Sequence, residues 1–269
     1  LSGSIRFFFQ AYIRQIPVLV KLTLIQVFRR RAIFFLFSLL LFFFVGEWTC
    51  TTTVGQEVTK GIPMSVYFIL TSLWVTIFLI IISSDLLRQD IDSQIHTLWL
   101  SRPLDPGVYL GGKGIALLLL VVLFILSIFA VQSWYALEVP WDFLIYQGAM
   151  MLTYIFFLSF AFQITLTSNQ TLSILLSFGL LLVTSILDQI VYQGYLDETP
   201  MLNETQKMIV KMFYWVLPQI GTIYHHSSNL LEGKGDGPVP YGFYSFFQVS
   251  AWLLILKASL WVTTRRQEI

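Results

Sequence analysis

Charge is the scarcest commodity in this chain. Asp, Glu, Lys and Arg together make up 12% of its 269 residues, about half the share found in water-soluble domains. So few ions could not cover the surface of a soluble domain of this length, which excludes a soluble enzyme fold. The net charge is +1, and no basic stripe with interleaved aromatics occurs, which excludes a nucleic-acid partner. Cysteine is nearly absent. The single Cys50 rules out an internal disulfide framework. Histidine is almost as rare, and His225 and His226 are neighbours without a Cys or Met cluster beside them. Adjacent side chains on one helix cannot both face one ion, so no metal centre is expected.

What fills the chain instead is apolar: 56% of residues are hydrophobic and the mean hydropathy is +0.74. A bilayer core takes roughly 20 apolar residues of helix. Six stretches meet that length, at residues 32–48, 62–82, 115–137, 143–166, 171–192 and 243–263. Lipid offers no partner to a bare peptide group, so each is expected to be a helix. The sequence therefore predicts an all-α integral membrane protein with six transmembrane helices.

The basic residues set its orientation. With the N-terminus inside, the cytoplasmic flanks hold Arg6, Arg14, Lys21, Arg29, Arg30, Arg31, Arg88, Arg102, Lys113, Arg265 and Arg266, against Lys60, Lys207, Lys211 and Lys234 outside. This positive-inside bias places both termini in the cytoplasm. Arg29, Arg30, Arg31 and Lys113 are the expected cytoplasmic anchors at the headgroups.

Residues 1–31 carry Arg6, Gln10, Arg14 and Lys21 at helical spacings, the pattern of an interfacial amphipathic helix. Pro17 lacks an amide hydrogen and is expected to start a second helix there. Residues 32–87 hold spans one and two. Segment 88–112 is the most polar inner stretch: Ile91, Ile95, Leu98 and Trp99 form one apolar face, with Asp90, Asp92, Ser93 and Thr97 elsewhere. That predicts a short helix lying across the inner surface and ending at Arg102-Pro103. Spans three to five occupy 113–192, with "TSNQ" as a tight hairpin between four and five. In the external segment, 193–242, Ile209, Met212, Phe213 and Val216 share a face, as in an amphipathic or re-entrant helix ending at Pro218. Residues 243–269 are span six and a cytoplasmic tail.

"PGVYLGGKG", at 106–114, comes close to a phosphate-binding loop. A working loop follows a β-strand and needs Ser or Thr after its lysine to hold magnesium. Here Gly114 follows Lys113, and a membrane span comes next. The glycines are expected to make a tight turn into span three.

The run "LWLSRPLDPGVYLGGK" resembles the signature between spans two and three of type-2 ABC transporter permeases, six-span subunits without a nucleotide-binding domain. The branch containing the permease of the nitrous oxide reductase copper-maturation system is the most similar. Asp90, Asp92, Leu98, Leu100, Arg102, Pro103, Gly112 and Lys113 stand where the pattern has them. Gln94, Ile95 and His96 depart from the Gly-Thr-Leu common in that family, and Asp stands where Glu is usual. The resemblance implies two permease copies, as in a homodimer, working with two ATPase subunits that bind the ATP and magnesium, this chain holding no cofactor of its own. It implies that segment 88–101 is a coupling helix, with Asp90, Asp92, Ile95, Leu98, Arg102 and Pro103 at the ATPase interface. A bacterial inner membrane, and a periplasmic or accessory membrane protein as a further partner, go with it. The alternatives are an integral-membrane lipid-modifying enzyme, for which His96 and Asp92 share a helix face, and an ATP-independent channel or scaffold.

Within the spans, Asp188 is expected to be interfacial or to line a path, Lys257 to reach the headgroups, and the two not to pair. Gln132, Gln147 and Gln163 are expected to hold helices together.

Overall fold

The computed structural model describes residues 2–30, 64–93, 106–136, 141–192, 203–231 and 242–267. Among these there are eight helices and no strand: α1 (Ser2–Phe28), α2 (Met64–Asp92), α3 (Pro106–Ala136), α4 (Trp141–Thr167), α5 (Gln170–Tyr192), α6 (Glu204–Val216), α7 (Ile220–Leu231) and α8 (Gly242–Gln267). Five of them, α2, α3, α4, α5 and α8, are long and apolar enough to cross a membrane. The chain is thus an all-helical protein with the build of a multi-pass membrane protein. The span expected at 32–48 lies outside the described residues.

Two compact units emerge. One comprises residues 1–70 and 89–139, the other 71–88 and 140–269; α2 contributes to both.

In the first unit α1 packs along α3. Leu19, Thr23 and Val27, one helical turn apart, are its buried face. The approach is close because Gly112 carries no side chain: a Cβ there would stand 2.9 Å from Leu19 Cβ. Two expectations are corrected here. The glycines of "PGVYLGGKG" make no turn; they lie inside α3, which starts at Pro106, the first helical position, where a missing amide costs nothing. The amides of Gly111, Gly112 and Gly114 belong to the helical ladder, so these glycines form no phosphate cradle. Pro17 starts no new helix either. It sits inside a continuous α1, because losing one hydrogen bond to the carbonyl four residues back leaves the neighbouring bonds in place.

The second unit is built on α4, whose Phe143, Tyr146, Met150, Tyr154, Phe157 and Ala161 are buried. It packs against α5, α7 and α8. Apolar surface has little to gain from helix contact inside lipid, so polar side chains supply much of the specificity. Thr76 bonds Tyr224 at 3.1 Å, Gln147 donates to Ser72 at 3.2 Å, and Tyr154 donates to Gln147 at 2.6 Å. Burial pushes the Tyr224 hydroxyl up to about 12, so it enters this chain as a neutral group. Ser173 meets Ser84 and Thr165, each at 2.9 Å.

These contacts explain why α2 outruns its apolar stretch. The hydrophobic run stops near residue 82, yet the helix continues to Asp92. Its polar residues find partners on α5 and on the hairpin before it: Ser84 on Ser173, Asp85 with Gln170 at 3.3 Å, and Arg88 on the Ser168 carbonyl at 3.5 Å. The start of the helix expected at 88–101 is shared with α2, whose last turn is 88–92, and 106–112 are the first turns of α3; residues 94–101 lie outside the described residues. The hairpin at "TSNQ" forms as expected, with Asn169 Oδ1 accepting the Leu172 amide at 2.8 Å to cap α5.

Candidate functional site at the ends of α2 and α3

Tyr109 and Lys113 are four residues apart, so α3 presents both on one face of its first turns. Asp90 lies in the last turn of α2. The Lys113 ammonium and the Tyr109 hydroxyl both donate to Asp90 Oδ2. The Lys113 ammonium also lies 4.8 Å from the Tyr109 ring centre, in the range of a cation–π contact. The two charged side chains are only 3% and 5% exposed for Lys113 and Asp90, so neither has water to fall back on. A charge so buried persists only when paired, and removing one partner of such a pair costs roughly 3–5 kcal/mol.

Arg30, just past the end of α1, belongs to the same electrostatic neighbourhood. Its own burial lowers the guanidinium's pKa from its ordinary value, and Asp90 raises it in opposition. One carboxylate thus faces two cations and a phenol, contributed by three consecutive stretches of the first unit.

The structure brings together three of the residues singled out from sequence: Asp90, Lys113 and Arg30. Lys113, expected as a headgroup anchor, and Asp90, expected as an ionic contact to an ATPase, are buried against each other. Asp92 is exposed at the end of α2, and Arg29 is exposed beyond α1. Ile95, Leu98, Arg102, Pro103 and Arg31 lie outside the described residues, as does His96. Sequence reasoning missed Tyr109. The available signal was its place one turn before Lys113, masked by glycines that read as a turn rather than a helix.

A second polar cluster lies in the second unit. Asp188 is 1% exposed and stands at the N-terminus of α7. Its Oδ1 accepts the Thr222 hydroxyl at 2.7 Å, and Thr222 in turn meets the Tyr214 hydroxyl at 2.9 Å. The amides of Gly221 and Thr222 face the carboxyl group, as suits an anion at a helix start. Lys257 is exposed on α8, so the two intramembrane charges do not pair, as expected. His226 is buried and His225 is half-buried. Among the described residues no group of three or more His, Cys, Asp or Glu side chains could hold a metal.

Comparison of the chain with protein-family profiles, with curated protein sequences and with solved structures finds no match.

Proposed function

We propose that this chain is the membrane permease subunit of an ABC transporter. In this reading two copies work with two separate ATPase subunits, which bind the ATP and magnesium, to export a substrate or do mechanical work on it. The observation that carries the reading is the buried Asp90–Lys113–Tyr109 tie at the base of segment 94–105. A force applied to a loop between two helices is lost in the loop if its ends move independently. Here the last turn of α2 and the first turns of α3 are held to each other. Displacing the intervening segment must therefore move both helices, which are 29 and 31 residues long, or roughly 45 Å each at 1.5 Å per residue.

In this reading Asp92, exposed just before that segment, makes an ionic contact to an ATPase, with Ile95, Leu98, Arg102 and Pro103 following it in the chain. The excess of Lys and Arg on that flank makes it the cytoplasmic side, and a bacterial inner membrane is the fitting location. Purification in mild detergent from the native host is the test. An ATPase subunit should co-purify in equal number with this chain. Transport or lipid turnover by the purified chain alone would overturn the reading.

A further inference from the structure

The connection between α6 and α7 has an unusual completeness. A helix leaves its last four carbonyls without intrahelical partners, and for α6 these are the carbonyls of Phe213, Tyr214, Trp215 and Val216. All four are satisfied. Phe213 takes the Leu217 amide at 2.9 Å, and Tyr214 takes the Gln219 side chain at 3.4 Å. Trp215 takes Gln248 Nε2 at 2.6 Å, and Val216 takes the Trp252 indole at 3.0 Å. The Gln219 amide donates to Gln248 Oε1 at 3.1 Å, while Ser245 holds the Gln219 side chain at 2.9 Å. A turn in water needs none of these donors, since water supplies them; one surrounded by hydrocarbon needs them all.

Depth agrees. Trp252 lies eight residues beyond Tyr244, where the candidate span of α8 begins, or about 12 Å along the axis. The C-terminal end of α6 is therefore alongside the interior of a span. The Trp215 ring also packs on Tyr244 at 5.3 Å.

The surface of α6 points the same way. Trp215, Met208, Met212, Val216, Ile209 and Phe213 cover an exposed arc of about 160° at 3.6 residues per turn, with Met208 72% exposed. Buried Tyr214 marks the opposite side. Polarity is graded along the axis: Asn203, Glu204, Thr205, Gln206 and Lys207 come first, and no Asp, Glu, Lys or Arg follows Lys211 up to Leu231. The exposed arc continues onto the exposed Tyr244 and Phe247 of α8.

We propose that α6 and the turn after it are sunk into the bilayer as a re-entrant limb, with the arc from Met208 to Val216 against lipid acyl chains and the Glu204–Lys207 turn at the headgroups. The occupant of this face is lipid, and the inference is independent of the permease reading. Single nitroxide labels test it. The full chain carrying Cys50→Ser is labelled at Thr205→Cys, Met208→Cys, Met212→Cys or Val216→Cys and reconstituted into phosphatidylcholine–phosphatidylglycerol vesicles. The ratio of collision with oxygen to collision with a water-soluble nickel complex should rise several-fold from Thr205 to Val216. Preference for nickel at Met212 and Val216 would put the face in water. Exclusion of both reagents would mean that a protein covers it. Either result overturns the proposal. All four sites are exposed, so labelling leaves the packed side of α6 untouched, and should one chain misfold the other sites still decide.

Discussion

Gly221 lies directly against the carboxyl group of Asp188: a Cβ built on the glycine would stand 2.5 Å from Oδ2 and 2.8 Å from the aspartate's own Cβ. The backbone of α7 reaches α5 this closely only because nothing projects between them. Gly221→Ala should therefore lower stability by roughly 1–3 kcal/mol, the range for overpacking a close contact. Gly179, where an added Cβ would meet nothing within 4 Å, is the control. Gly179→Ala should be neutral or stabilising by up to about 1 kcal/mol from helix propensity. Thermal unfolding in detergent reads both, and equal behaviour of the two variants would contradict the contact.

Asp90 and Lys113 should behave as a unit. Asp90→Leu or Lys113→Met alone should destabilise by roughly 3–5 kcal/mol, because each strands a buried charge or its donors. The double replacement Asp90→Leu with Lys113→Met should recover a large part of that loss. A double-mutant cycle on detergent-solubilised protein measures the coupling, and additive losses would show that the pair is not formed.

Asp92 separates coupling from folding. It is exposed, so Asp92→Lys should cost much less thermal stability than replacement of the buried Asp90. On the permease reading proposed above, the same variant in complex with an ATPase subunit should lower transport-linked ATP hydrolysis. Unchanged hydrolysis with intact assembly would count against an ionic contact at this position. Asp90 is a poor probe for that purpose, since its replacement acts on the fold.

The interhelical polar chain of the second unit should be graded. Tyr224→Phe removes only the bond to Thr76, and a loss of about 0.6 kcal/mol is expected, the average for such bonds within membranes. Gln147→Leu removes two bonds at once, the one from the Tyr154 hydroxyl and the one to Ser72, so its loss should lie toward the upper measured values of about 1.7 kcal/mol. Reversible unfolding in mixed micelles distinguishes them; the reverse order would show that the chain is not built as described.

Acid should weaken the fold through His225. Burial lowers its pKa from the ordinary 6.5, so the unfolded chain takes up the proton more readily than the folded one. The sign follows: stability is fully retained above the unfolded value, falls as pH drops below about 6.5, and levels off below the lowered folded value. His225→Gln should flatten this part of the profile between pH 8 and 5, when melting temperature is followed against pH. A wild-type profile that rises on acidification, with the slope abolished by that replacement, would reverse the assignment.

Most of the fold was legible because a bilayer imposes a local rule. Each of the five long helices announces itself by an apolar run of the required length, and α6 by the common face of Ile209, Met212, Phe213 and Val216 before Pro218. The errors fall where partners override local signals. Ser84, Asp85, Arg88 and Asp90 read as the polar start of a surface segment, and the structure keeps them helical by giving each a partner distant in the chain. The glycines at 107–114 read as a turn, whereas Gly112 serves a helix crossing with Leu19.

By itself the sequence determined the surrounding medium, the helices long enough to cross it and the chemical types that matter, since hydropathy and periodicity are properties of neighbouring residues. Only the tertiary structure decided that Lys113 meets Asp90 rather than a headgroup, that Asp188 meets α7 rather than Lys257, and that α8 side chains close the end of α6. The physical reason is that a charge or a carbonyl without water is satisfied by whatever donor lies nearest in space, and the crossing of two helices, far apart in the chain, places that donor.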